Sequence, residues 1–456
     1  MKNKTIEIFK QICKIPRESG NEQEISNFIV NFAKNRRLEY VQDAFGNVIV
    51  KKFTGANSPV ILQAHLDMVC ETNLKDFDFS KNEISIFEED GFLKAKGTTL
   101  GADNGIGVAE MLAALDSDLK INVECVFTVS EETNMSGAEN IDVSGLTGKI
   151  MVNLDGFNEK TIINEVAAFS DIEIKFEYEK EQVENKYFQI KLSGLEGGHS
   201  GFDIDKGHGN AIKLLAELLL EVRDIQILNF VGGGKFNVIP SCATCDFYSE
   251  LDELQIKQIL QKFTKKYKKI YKNLKITTKF FKKEDVFYSI SSSIQFLNSI
   301  LEIPDGVINR NEDGLVTSSS NLGNVNLSEG FLWIGARSSK IDEETQIYKN
   351  LKEIVAKYDY SFNVLGYQPG FETPKNSTLI KKLTRAFQNV FGECSPMIKP
   401  VHICVEAGML KEKMPDTQVV IISPEILGAH SVNEKVKISS IIEFDNWLFE
   451  FLKILD

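Results

Sequence analysis

The sequence predicts an α/β protein, a three-layer α/β/α domain carrying an inserted α+β domain. Three observations predict it. Helical and strand patterns alternate over the first 160 residues, with strands such as "VECVFTV" apolar on both faces, as strands covered by helices on both sides must be. After about residue 185 the order becomes strand, helix, strand, helix, as in a smaller unit laid on one sheet. From "NSTLIKKLTRAFQNVFG" onward the first texture returns, with "TQVVIIS" again apolar on both sides. The expected domains are therefore 1–185, an insertion over 186–370, and 371–456, and a chain of 456 residues is long enough for two or three cores.

The elements follow in order. Ile6, Phe9, Ile12 and Cys13 describe an amphipathic first helix, and "MKNKTIEIFKQICKIPRESG" has no continuous apolar core of the kind a secretory leader needs. "VQDAFGNVIVKKF" and "SPVILQAHLDMVC" read as strands, "ADNGIGVAEMLAALDSD" as a helix, "NVECVFTVSEE" as a strand, and "MVNLDGF" as the end of another. In the insertion, "KYFQIKLSGLEGGHSGFD" opens on a strand, a helix begins near Asn210, and "NFVGGGKFNVIPSCATCDFYSE" is again strand-like. In "FTKKYKKIYKNLKITTKFFKK" (263–283), Phe263, Tyr267, Ile270, Tyr271 and Leu274 recur at helical spacing. That makes the aromatics a core stripe and the lysines its solvated face, rather than a nucleic-acid patch.

Composition narrows the partners. With 52 basic and 65 acidic residues the net charge is −13, which repels phosphate backbones and anionic membranes, so neither nucleic acid nor membrane is an expected partner. No stretch approaches the ~20 apolar residues of a membrane span. Seven scattered cysteines, an odd number, point to free thiols in a reducing compartment, and the expected location is cytoplasmic. Cys242 and Cys245 form a C-x-x-C with no second pair to complete a zinc ribbon, and read as strand packing.

The chemistry lies where strands run out. "VILQAHLDMV" (60–69) puts His65 and Asp67 two positions apart on one face of an apolar strand. A metal explains the pair, with imidazole as ligand and carboxylate holding its other nitrogen; a polar strand end facing water is the alternative. Asp103 follows a glycine-bearing loop at the start of a helix, where an N-cap is the ordinary role and a ligand the other. Glu131 and Glu132 stand adjacent in "FTVSEETNMSGAENI", either as an exposed loop pair or as carboxylates whose repulsion a cation relieves. Asp155 ends "MVNLD", and His430 follows a strand in "SPEILGAHSVNEKV". An open α/β sheet can gather all of these at the carboxyl ends of its strands, and two histidines with several carboxylates and no thiolate suit Zn²⁺ or a similar ion.

Nearly end to end, the chain resembles the aminoacyl-histidine dipeptidases, also called cytosol non-specific or Xaa-His dipeptidases. They are a branch of the co-catalytic zinc exopeptidases that includes carboxypeptidase G and succinyl-diaminopimelate desuccinylase. The segments that carry the likeness are "KIPRESGNEQEI", "LQAHLDMVCE", "GTTLGADNGIG", "SEETNMSGA", "NLD", "GGHSG", "NVIP", "TSSSNLG", "RSS", "EAGMLKEKMP" and "GAHSVNEKV".

The resemblance implies a zinc-exopeptidase catalytic domain with an inserted lid domain, holding two Zn²⁺ per chain, with Mn²⁺ or Co²⁺ as substitutes. His65, a bridging Asp103 and Asp155 would hold one ion, and Asp103, Glu132 and His430 the other. Asp67 would orient His65, Glu131 would be the general base, and the Asp103–Asn104 peptide would be cis. His199 in "GGHSG" matches a lid histidine that contacts the oxyanion. Arg337 in "RSS" matches a lid arginine for the substrate carboxylate, Asn237 in "NVIP" would assist, and Glu406 would meet the free amino terminus. For these last three, a surface ion pair or loop hydrogen bond is the competing reading. His208 and His402 receive no role.

The implied activity is hydrolysis of unblocked dipeptides with broad specificity, Xaa-His included, so the expected partner is a small peptide substrate. A metal-dependent deacylase or tripeptidase on the same scaffold, or a catalytically inactive binding protein, are the alternatives. A homodimer through the lid domain is also expected. The chain departs from the branch at Ser130, where an Asp is usual, and over 156–171, where "GFNEKTIINEVAAFSD" replaces acidic residues and a Cys-Ala-Gly-Gly run. Neither change removes an expected ligand.

Overall fold

The computed structural model describes residues 3–55 and 58–455, and they form two compact units. The first holds the described residues up to Val166, Phe371–Val401 and those from Val405 onward; the second holds Ala167–Gly370 with His402–Cys404. The sequence places the first boundary at 185/186, whereas the structure places it at Val166. Ala168–Lys175 pairs along its length with Phe331–Ser338 on one side and Ser361–Gln368 on the other, and so belongs to the second unit's sheet. Alternating burial tells which face of a strand is inside but not which sheet it joins.

The first unit is built on a nine-stranded sheet. Its order is Glu39–Gln42, Val48–Phe53, Asn122–Thr128, Val60–His65, Ile150–Asn153, Gln418–Ile421, Thr161–Val166 and Phe371–Glu372, with Met397–Val401 also paired to Thr161–Val166. Asn122–Thr128, Val60–His65, Ile150–Asn153 and Gln418–Ile421 are mutually parallel, so their carboxyl ends share one edge. All six residues of Val60–His65 are buried, as a strand in the middle layer of an α/β/α stack must be. The helices Lys4–Ile12, Ala102–Leu115, Thr378–Phe391 and Ile438–Ile454 put Phe9, Ile106, Leu383 and Trp447 into one core with Leu62 and Val152 from the strands. A separate four-stranded sheet, in the order Ile426–Leu427, Lys435–Lys437, Phe92–Ala95 and Ile86–Glu89, holds both ends of the loop that carries His430.

The second unit has its own antiparallel nine-stranded sheet. The helices Ala211–Leu219, Glu253–Tyr267, Ile290–Glu302 and Ile341–Tyr358 bury Leu215, Phe263, Phe296 and Leu351 in one core with the sheet's Ile190, Phe247 and Ile334. Asn210 caps the first of these helices by accepting from the Ile212 N–H at 3.0 Å, and Asp252 opens the second through a capping box with Gln255. The Lys-rich helix is shorter than its periodicity suggests. It ends at Tyr267, Ile270 is exposed, and Lys275–Phe281 is a strand paired with Tyr187–Ser193. The β-branched run Ile276, Thr277, Thr278 favours the strand, and tertiary pairing overrides the helical spacing. Cys245 lies buried in the strand Ala243–Tyr248, Cys242 just precedes it, and all seven cysteines are free. No helix among the described residues is long and apolar enough to cross a membrane.

The helix Ala102–Leu115, which starts the site, is buried at every position, including Glu110. One Glu110 oxygen accepts a long bond from Thr5 Oγ at 3.4 Å and the other has no partner. Burial and the nearby Asp445 carboxylate push the Glu110 carboxyl well above its usual range. A carboxyl raised by folding supports the fold below its unfolded pKa of about 4.3, and that support is lost as pH rises. Glu110→Gln is therefore expected to gain stability over the native protein as pH rises from about 5 to about 8, by roughly 1 kcal/mol or more, read from urea unfolding at each pH.

Candidate metal centre

The strand Val60–His65 ends on His65, and the chain then turns so that Asp67 faces the ring it has just passed. Asp67 Oδ1 lies 3.3 Å from His65 Nδ1, which leaves Nε2 aimed away from it. The same carboxylate accepts the backbone N–H of Glu131 at 3.0 Å, the N–H of Glu132 at 3.1 Å and the Ser19 hydroxyl at 2.7 Å. Burial alone would raise its pKa, but the bonds from His65, Ser19 and the Glu132 backbone hold it below the usual range. One anion thus fixes both a histidine and the paired glutamates in the turn that follows the neighbouring strand.

Two buried side chains that sequence reasoning passed over secure the loops. Arg17, 2% exposed, donates Nη1 to the carbonyls of Leu66 at 3.1 Å and Asp67 at 3.0 Å, and Nη2 to the Gly101 carbonyl. Glu434 accepts the N–H groups of Leu100 and Gly101 at 2.8 Å each and of Asp103 at 3.1 Å. Gly101 has φ +68°, and a Cβ there would meet Arg17 Nη2 at 2.2 Å, so the close approach and the backbone conformation both require glycine. Both residues lie inside the matched segments "KIPRESGNEQEI" and "GAHSVNEKV", which was the available signal; neither has a residue type that announces a site.

The six expected ligating and bridging contacts converge within the first unit. His65 Nε2 lies 3.1 Å from Asp103 Oδ1 and 3.7 Å from Asp155 Oδ1. His430 Nε2 lies 3.1 Å from Asp103 Oδ2 and 3.0 Å from Glu132 Oε2. The two histidines therefore meet opposite oxygens of one carboxylate. Donor atoms of His65, Asp103 and Asp155 form one group within 4.8 Å, and those of Asp103, Glu132 and His430 form another. Asp103 is not a simple N-cap: its two carboxylate oxygens face His65 and His430 instead of the first N–H groups of the helix, and its peptide bond to Asn104 is cis. Glu131 and Glu132 are not a solvated pair, because Glu132 Oε1 is buried with no hydrogen-bond partner.

The electrostatics describe a site built for cations. Burial, with Asp103 beside it, pushes Asp155 up to about 6, and burial together with Asp155, Glu406 and Glu132 pushes Glu131 well above the carboxylate range despite the opposing His65. Hydrogen bonds donated to Asp103 and Glu132 raise His430 to about 11, and His65 is raised against its burial by three carboxylates. Five buried or half-buried carboxylates around two imidazoles, one with an orphaned oxygen, fit a pair of divalent ions with nitrogen and oxygen ligands.

The remaining expected residues divide. Glu406 belongs to the first unit and is wholly buried, its Oε1 accepting from Gln63 Nε2 and from Thr128 Oγ at 2.7 Å. With no exposed atom, it is not a surface ion pair. His199, Asn237 and Arg337 lie in the second unit. His199 Nδ1 accepts the N–H groups of Gly201 at 3.1 Å and Phe202 at 3.3 Å, which assigns the ring proton to Nε2. The Asn237 carbonyl accepts the Ser200 N–H at 2.9 Å and so holds the turn beside His199. Arg337 is 3% exposed, stacked 4.6 Å from the Phe169 ring, with Nη1 3.6 Å from Cys404 Sγ and Nε unpartnered. It is not a surface ion pair but a buried cation with no carboxylate bonded to it. His402, which the sequence left without a role, joins this unit through Ser319 Oγ at 2.7 Å, and burial beside Arg337 pushes its pKa down to about 3.

Glu434→Ala removes three acceptor bonds from the loop that carries Asp103 while leaving every ligating side chain in place. It is expected to weaken metal binding by about 10–100-fold, measured by competition with a chelator of known affinity.

The comparisons with known proteins agree with this geometry. The sequence profile of peptidase family M20/M25/M40 matches residues 61–453. The chain is 32% identical over 472 aligned residues to the cytosol non-specific dipeptidase of Escherichia coli (strain K12), covering 98% of this chain and 96% of that one. The crystal structure of an aminoacylhistidine dipeptidase from Vibrio alginolyticus matches with a TM-score of 0.84 at 29% identity, covering 99% of this chain and 96% of the other. Aminopeptidase PepT from Bacillus cereus shares the fold at a TM-score of 0.58 and 14% identity, covering 99% and 98%. With a profile match over residues 61–453 and 32% identity to a relative covered nearly end to end, the chain belongs to peptidase family M20/M25/M40.

Proposed function

We propose that this chain is a metal-dependent dipeptidase that hydrolyses unblocked dipeptides, Xaa-His among them, with two zinc ions per chain that manganese or cobalt can replace. The single observation that carries the reading is the shared Asp103 carboxylate, with a histidine at each oxygen. The names of the Escherichia coli and Vibrio alginolyticus relatives, both dipeptidases, supply the substrate class. The name of the first of these supports a cytoplasmic location for this chain.

His65, Asp103 and Asp155 would hold one ion, and Asp103, Glu132 and His430 the other. When bound, such a pair lowers the pKa of a water and polarises a peptide carbonyl. Glu131 ligates neither ion; its backbone is fixed by Asp67, and burial raises its carboxyl well above the usual carboxylate range. It accepts the proton of the attacking water and returns it to the leaving amine. Asp67 keeps the His65 ring oriented throughout. His199, with its proton on Nε2, is the proposed donor to the oxyanion, and Asn237 holds its turn. Arg337 is the proposed fork for the substrate's carboxylate, a role its unpaired, buried guanidinium suits. The second unit acts as a lid, and its edge strand Ser361–Gln368 exposes Val364, Leu365 and Tyr367, an apolar edge suited to a second copy of the chain.

Glu131→Gln is expected to retain its metal while kcat falls by about three orders of magnitude or more, since it removes a base and not a ligand; His430→Ala is expected to lose metal as well. Metal analysis paired with kinetics separates the two, and equal metal loss in both would overturn the assignment. Across a panel of free, N-acetylated and amidated dipeptides, free dipeptides are expected to be the best substrates, with hydrolysis abolished by chelation and restored by Zn²⁺. Preference for the N-acetyl compounds would overturn the dipeptidase reading.

A further inference from the structure

Beneath the ligands runs a buried line of polar side chains that the chemistry above does not use. Gln63 stands two residues before His65, and Asn153 two residues before Asp155, so each shares a face with its ligand. The parallel register sets Gln63 opposite Asn153, and His65 opposite Thr128. Asn153 Oδ1 accepts the Asp155 N–H at 3.0 Å, and Asn153 Nδ2 donates to Gln63 Oε1 at 2.5 Å. That fixes the Gln63 amide, whose Nε2 donates to Thr128 Oγ at 3.2 Å and to Glu406 Oε1. Thr128 Oγ donates in turn to Glu406 Oε1 at 2.7 Å. Gln63, Thr128, Asn153 and Glu406 are all 0% exposed. The line therefore starts at Glu406, on the helix Glu406–Lys413, and ends on the backbone of an expected ligand.

We propose that Glu406 is a positioning residue for the metal pair: by accepting from Gln63 and Thr128 together, it locks the strand ends that present His65 and Asp155. The inference rests on the metal-centre reading given above and deepens it. Three features point to the acceptor rather than the charge as the working part. Both bonds fall on Oε1, Oε2 is buried with no partner, and no cation faces the carboxylate within hydrogen-bond reach. Removing the acceptor takes the Glu406 partner from two buried donors beside the ligands, whereas replacing it with a carbonyl does not.

The test compares Glu406→Gln, Glu406→Ala and the milder Thr128→Val, each as purified full-length protein. Zn²⁺ affinity is read by competition with a chromogenic chelator, and kcat and KM on one unblocked dipeptide. Glu406→Gln is expected to stay within about threefold of the native protein in both readouts. Glu406→Ala is expected to lose about 10–100-fold in Zn²⁺ affinity, with kcat falling more than KM rises, and Thr128→Val to lose affinity to a smaller extent. The proposal is overturned if Glu406→Gln loses as much as Glu406→Ala, or raises KM alone, since the charge would then be what matters. It is also overturned if Thr128→Val and a folded Glu406→Ala keep native affinity. Should the native protein itself hold no Zn²⁺ and cleave no dipeptide, the metal-centre reading falls with it; native activity with indifferent variants sinks the Glu406 assignment alone.

Discussion

Everything in the first unit is arranged around one carboxylate that two histidines approach from opposite sides. Asp103 presents Oδ1 to His65 and Oδ2 to His430, although these residues come from the two ends of the chain. Asp155 and Glu132 complete the approaches on either side. Burying this many carboxylates together is unfavourable unless cations or protons compensate, and the upward displacement of Asp155, Glu131 and both histidines is the protonic form of that compensation. The constraint is electrostatic before it is catalytic: the fold holds negative charge in place for something positive to join.

The scaffold answers that constraint with groups that touch no ligand atom destined for a metal. Arg17 and Glu434 act on backbone, one on carbonyls at the end of the His65 strand and at Gly101, the other on N–H groups of the Asp103 loop. Asp67 acts on a ring and on two backbone N–H groups. Gln63, Asn153, Thr128 and Glu406 act on the strand ends from beneath. Parallel strands make this economical, because residues two positions before a ligand automatically face the same side and lie next to one another across the sheet.

Much of this was legible in the sequence, and the limits have physical reasons. The strands buried on both faces and the helix after "GTTLG" were plain because an apolar run bounded by glycine has few other uses. His65 and Asp67 were legible because polar residues interrupt an apolar strand only at a cost. The boundary at Val166 was hidden because Ala168–Lys175 alternates as any half-buried strand does, and its partners lie far away in the chain. The helix end at Tyr267 was hidden because aromatic spacing continues into a turn. Glu406 was visible as an acidic residue in a matched segment, but burial decides its role and no local pattern encodes burial on all sides. Arg17 was invisible for the converse reason, since an isolated arginine in a polar stretch reads as surface.

The central claim is that Asp103 bridges two metal ions. Anomalous scattering from a crystal grown with Zn²⁺, collected on both sides of the zinc absorption edge, tests it most directly. The account predicts two zinc peaks, one on either side of the Asp103 carboxylate, the first beside His65 and Asp155 and the second beside Glu132 and His430. One peak with no contact to Asp103, or zinc held elsewhere in the first unit, would contradict it.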